Sequence, residues 1–136
     1  MSKELSLASI GATHGYCFDG DEVAINVDLS FAAEALFAER QWALQLWASR
    51  EPFSGMPQGS KLLDIEVFPL LGTSTLSTRL QVLPPAGGMA HHLALALVAT
   101  DSAGVAEIVD LVAYALPEVF VQPRFSGVLA CSVVEG

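Results

Sequence analysis

Basic side chains are scarce in this chain of 136 residues: six Lys and Arg stand against fifteen Asp and Glu, a formal charge of −9. Nowhere do they cluster. Binding to a phosphate backbone draws on counterions released by grouped Lys and Arg, so no nucleic-acid partner is expected, and an anionic membrane surface would repel the chain for the same reason. The acidity instead keeps an apolar protein in solution. Long hydrophobic runs are missing too. The longest charge-free apolar stretch, Leu93 to Thr100, is less than half of the ~20 residues a membrane-spanning helix needs, so no membrane insertion is expected. Behind Met1-Ser2-Lys3-Glu4 there is no continuous apolar leader, so this chain carries no secretory signal of its own, and the expectation is a cytoplasmic location by default or a signal on a longer parent chain. Cysteine is rare. Cys17 and Cys131 allow one disulfide at most and do not form a Cys-x-x-Cys pair. They read as two half-buried thiols acting as small hydrophobes.

Catalytic signatures are equally thin. There is no Ser nucleophile elbow, no phosphate-cradling glycine loop and no zinc-binding helix motif. His91 and His92 are adjacent, and in a strand adjacent side chains point to opposite faces. One should turn inward and one outward, which does not suit a shared metal. His14 and Cys17 lack the orienting third group that a thiolate–imidazole nucleophile requires. Asp19-Gly20-Asp21-Glu22 lacks the twelve-residue alternation of a calcium loop and makes a good turn. Asp101, Glu107 and Asp110 flank an expected hairpin exposed to solvent, with Asp101 to Gly104 as its turn. No enzyme, metal or cofactor is expected.

What the sequence has in quantity is apolar surface: 52% hydrophobic against 15% charged residues excludes disorder. The length fits a single domain over residues 1–136, a size that buries roughly 65–70% of its unfolded surface. Turn signals recur at Gly15, Asp19 to Asp21, Gly55 to Pro57, Gly72, Pro84 to Gly88, Asp101 to Gly104, Pro117 and Gly127. Between them the period is two. Val23, Ile25, Val27 and Leu29 alternate with small or polar residues, and so do Trp42, Leu44, Leu46 and Ala48, with Trp47 on the polar face. Leu63 to Val67, Leu76 to Val82, Leu93 to Leu97, Ile108 to Tyr114, Val128 to Val134 and Leu5 to Ile10 complete about eight strands. That pattern predicts an all-β antiparallel sandwich. Residues 30–49 carry strong helix formers, but their apolar side chains circle the whole axis and alternation resumes at Gln41. The segment therefore divides into a loop or short helical turn at Ala32–Glu39 and a strand at Arg40–Ser49.

Leu44-Gln45-Leu46-Trp47-Ala48, then Pro52-Phe53-Ser54-Gly55 and Gly59, resembles a bacterial immunoglobulin-like sandwich module that reads L-x-L-W-A followed by P-[YF]-S-G. The likeness continues through Leu70-Leu71-Gly72 and Leu83-Pro84-Pro85-Ala86-Gly87 and covers roughly residues 23–115. It implies the fold and an accessory role in larger proteins, with no assigned activity and no catalytic residue. The chain is thus expected to be a non-catalytic interaction module. It would bind a protein partner, or itself as a homodimer, through an apolar surface around Trp47 made with Phe31, Leu36, Phe37, Phe53 and Met56. The alternative is a small-ligand, carbohydrate or calcium binder using loops at one end of the sandwich, with Asp19, Asp21, Glu22 and Asp101 as the candidate ligands.

Overall fold

The computed structural model describes residues 7–19, 21–37, 39–54, 57–82, 90–115, 117–119 and, chiefly as backbone, 129–134. In chain order the elements are β1 (Ala8–Asp19), β2 (Glu22–Phe31), α1 (Ala33–Phe37), β3 (Gln41–Ser49), β4 (Ser60–Val67), β5 (Gly72–Gln81), β6 (Ala90–Thr100), β7 (Ala106–Ala113), β8 (Glu118–Val119) and β9 (Leu129–Val134). Two antiparallel sheets pack as a β-sandwich. One has the order β5-β2-β1-β9, and the other β4-β3-β6-β7, with the short β8 joined to β6. One cluster of buried apolar side chains fills the space between them.

The period-two pattern is what builds this core. On β2 the residues Val23, Ile25, Val27, Leu29 and Phe31 are buried, and on β3 Trp42, Leu44, Leu46 and Ala48 are buried. Leu93, Leu95, Leu97 and Ala99 of β6 stand opposite the inward residues of β3 in register. The central strand β6 is buried on its outer face as well, where Ala94, Ala96 and Val98 lie below the surface. Between the sheets the Phe31 and Trp42 rings meet edge to face, centroids 5.2 Å apart. That contact ties the end of β2 to the start of β3, and α1 spans between them with Ala35 buried as its plug. The helical turn falls inside the stretch where the sequence predicts one. Gly59 stands at φ 85, and a Cβ there would sit 2.2 Å from the Ala48 carbonyl oxygen, so only glycine lets the β3–β4 connection close on β3.

Three features differ from the sequence reading. Gly15 is no turn, because β1 continues unbroken to Asp19. A register shift between Ile10 and His14 absorbs the extra residues, and Gly11 passes close to Asp28 at the bulge. Asp110 is not a solvated hairpin carboxylate. A bulge between β6 and β7 sets it opposite Leu97, and from there its Oδ2 crosses to the other sheet to accept the Ile10 N–H at 2.8 Å. Finally, Cys17 is no free thiol but disulfide-bonded, with Cys131 directly opposite in the β1–β9 register.

Candidate functional site

Chain topology brings two crossovers to one end of the sandwich. Between β2 and β3 the chain changes sheets through α1, and between β4 and β5 it returns through Phe68 to Leu71. Val67, the last residue of β4, pairs with Trp42 at the start of β3, while Leu71 forms a lone parallel bridge to Phe31 at the end of β2. Both crossovers are therefore anchored to the same Phe31–Trp42 contact.

This end is apolar where it should be polar. Phe37 is 84% exposed, Phe68 72%, Leu71 67%, Leu70 60% and Leu36 42%; these are five of the seven large hydrophobic side chains exposed among the described residues. A sixth, Val105, follows the β6–β7 turn, which lies at the same end because Thr100 pairs with Gln41. Charged side chains stand at the same end: Glu34 and Glu39 are exposed, and Arg40 donates to Glu107 Oε1 at 2.9 Å. A concavity of about 490 Å³ lined by Arg40, Gln41, Thr100 and Asp101 borders it.

The residues predicted to form an interface do not come together as one patch. Leu36 and Phe37 are on the exposed end. Phe31 is not: at 3% exposure it is a core residue, since it continues the inward alternation of β2. Trp47 lies near the far end of β3 on the outer face of its sheet, five residues along from Trp42, or about 17 Å at the rise of a strand. It is half-buried, and its indole N–H donates to Gln45 Oε1 at 2.9 Å. Gln45 in turn donates to Asp64 Oδ2 at 3.2 Å, which also accepts from Lys61 at 2.9 Å. Phe53 is half-buried in the β3–β4 connection, and Met56 lies outside the described residues. Phe68, Leu70 and Leu71 went unselected. The signal was present as an apolar run straddling Pro69 in a connection, where polar turn residues are usual.

The candidate ligand loops are also separated. Asp19 pairs with Glu22 across the β1–β2 hairpin, at the end opposite the β6–β7 turn that holds Asp101. Glu22 is paired with Arg79 at 2.8 Å, and Asp21 offers its carbonyl oxygen to the Val82 N–H. Asp101 spends its Oδ1 on the Ala103 and Val105 N–H groups of its own turn, each at 2.9 Å. Among the described residues no three His, Cys, Asp or Glu side chains gather as a metal site.

A buried polar chain lies between β1 and the β7–β8 region. The Tyr16 hydroxyl donates to Glu118 Oε2 at 2.7 Å, and the Tyr16 and Tyr114 rings meet edge to face. The Tyr114 hydroxyl lies 2.9 Å from His14 Nδ1. Burial lowers the His14 pKa below 6.5, and the nearby Asp110 carboxylate pulls weakly the other way. Burial likewise raises both tyrosine hydroxyls, Tyr16 with help from Glu118. The cluster thus holds a neutral imidazole and protonated phenols. All three side chains are largely buried. Of the adjacent histidines, His91 is buried and His92 half-buried, in keeping with alternation. No protein-family model matches the chain, and no curated protein matches it in sequence.

Proposed function

We propose that this chain is a non-catalytic interaction module of immunoglobulin-like type that docks onto a protein partner through its apolar end. The observation that carries this reading is the concentration of exposed Leu36, Phe37, Phe68, Leu70 and Leu71 on two crossovers at one end. Scattered exposed hydrophobics are ordinary, whereas several gathered at one end, with charged residues beside them, fit a contact surface. Phe37 and Phe68 are its aromatic anchors, stiff side chains that lose little entropy on docking.

The immunoglobulin-like part rests on the likeness in sequence and on a partial likeness in strand order. What favours it is the run β5-β2-β1 in one sheet with β4-β3-β6-β7 in the other, and a buried tryptophan, Trp42, on β3; β9 beside β1, and a disulfide on β1 rather than between the sheets, are not part of that pattern. The reading as non-catalytic fits the burial of His14, Tyr16 and Tyr114, the cluster of perturbed groups among the described residues. A ligand site built from the end loops finds no support, since Asp101 lies at the opposite end from Asp19 and Glu22.

The test is affinity capture with wild type, with F37S/F68S and with E51A, the last being exposed in the β3–β4 connection at the far end. Exposed side chains stabilise the fold little, so the double variant should stay folded. It should weaken the specific complex by about 2 kcal/mol or more, roughly thirtyfold. E51A should not. An unchanged set of captured proteins in F37S/F68S would refute the docking surface.

A further inference from the structure

One sheet ends in β5 and β9 and the other in β4 and β7. A sheet edge presents a row of unpaired N–H and C=O groups, and proteins that remain monomeric blunt it with charges, bulges, proline or an inward-turned charge. β4 carries Lys61, Asp64 and Glu66 and is bulged against β3. β7 is bulged against β6 and turns the Asp110 carboxylate inward. β5 has one charge, Arg79, and otherwise none of these devices. From Thr73 to Gln81 it pairs with β2 without a register shift, and it contains no proline, no acid and no lysine.

Its outward side chains also leave the edge open, because they fold back over their own sheet. Thr73 lies 3.0 Å from the Ser30 hydroxyl, Thr75 donates to Asp28 at 2.7 Å, Ser77 to Asn26 at 2.7 Å and Arg79 to Glu22 at 2.8 Å. The single charge of the strand is thus already committed to a neighbour. Among the described residues no element pairs with the outer edge of β5.

We propose that this edge pairs antiparallel with β5 of a second copy, in the register that sets Leu76 opposite Leu76, joining two sheets into one. The strand is complementary to itself there. Thr75 meets Ser77, Ser74 meets Thr78 and Thr73 meets Arg79, so hydroxyls face hydroxyls and the arginines never oppose each other. Opposed residues share a face in this register, which keeps both cores on the same side of the joined sheet. Leu76, already packed against the core, gains an apolar neighbour. Shifting the centre to Ser77 keeps the faces matched but sets Leu76 against Thr78 and loses that pairing.

Sedimentation of the full chain at about 50 µM, where a Kd near 1 µM gives mostly dimer, provides the readout. Wild type should sediment as a dimer. T75K/S77K sets lysine against lysine at two positions and should raise the dissociation constant about tenfold or more. T75K/S77E sets lysine against glutamate at the same positions and should restore the dimer. Circular dichroism of all three should report the same fold. A monomeric wild type overturns the proposal, as does a K/K variant that still dimerises or a K/E variant as weak as K/K. F37S/F68S should leave the dimer intact; its loss there would move self-association to the apolar end and overturn the edge assignment, while the docking surface would stand.

Discussion

Trp42→Phe gives an unusual expectation for a large buried ring. Trp42 is 2% exposed, and truncating such a side chain to alanine ordinarily costs ~3–5 kcal/mol. Its indole N–H, however, is buried and finds no acceptor among the described residues. A buried donor without a partner carries a desolvation penalty of ~1–3 kcal/mol in the native state. Replacement by phenylalanine removes that nitrogen and two ring carbons. At ~0.8 kcal/mol per buried carbon the lost transfer energy is about 1.6 kcal/mol, with a small void term beside it. The edge-to-face contact with Phe31, 5.2 Å between centroids, survives the change. Loss and gain nearly cancel, so W42F should lie within about 1 kcal/mol of wild type while W42A loses ~3–5 kcal/mol. Urea unfolding followed by circular dichroism, with the remaining Trp47 fluorescence as a second probe of two-state behaviour, measures both. If W42F is as damaging as W42A, the reasoning about the orphaned N–H is wrong.

Acid should destabilise the fold through His14. Because burial lowers its pKa below 6.5, the unfolded chain takes up the proton first, so this contribution is complete above pH 6.5 and is lost as pH falls below it. Comparing urea midpoints at neutral pH and near pH 5 for wild type and H14Q should show a smaller acid loss in the variant; equal losses would contradict the assignment. Gly59 and Gly104 share φ 85, but only at Gly59 would a Cβ strike backbone, 2.2 Å from the Ala48 oxygen. G104A should cost ~1–2 kcal/mol of left-handed strain, and G59A clearly more, read as thermal midpoints. Equal shifts would mean that the β3–β4 connection relaxes around a side chain.

Alternation made most of the sandwich legible. It identifies the inward faces of β2, β3 and β6, and the break in helical amphipathicity after Phe37 separates α1 from β3. What stayed hidden were the irregularities. Gly15 looks like a turn residue, yet it serves a bulged strand whose inward His14 and Tyr16 carry polar atoms into the core. A bulge in β7 places Asp110 inward, and no binary pattern encodes the extra residue. Phe31 extends the parity of Val23 to Leu29 and belongs with them in the core, not with the apolar surface expected around Trp47. Trp47 does face outward as its parity implies, but the distance along β3 from α1 is a matter of strand rise, which a list of nearby residues conceals. Phe68 to Leu71 escaped notice because apolar residues are expected to be buried, and only the crossover topology reveals that these are not.

The most direct measurement of the docking claim is site-specific photo-crosslinking. A photoreactive phenylalanine analogue at Phe37 keeps the aromatic anchor, and the same group at the exposed Glu51 reports on the far end. Illumination in extract should couple position 37 to a discrete protein partner and leave position 51 uncoupled. Crosslinks of equal yield and identity at both positions, or at position 51 alone, would contradict the apolar end as the contact surface.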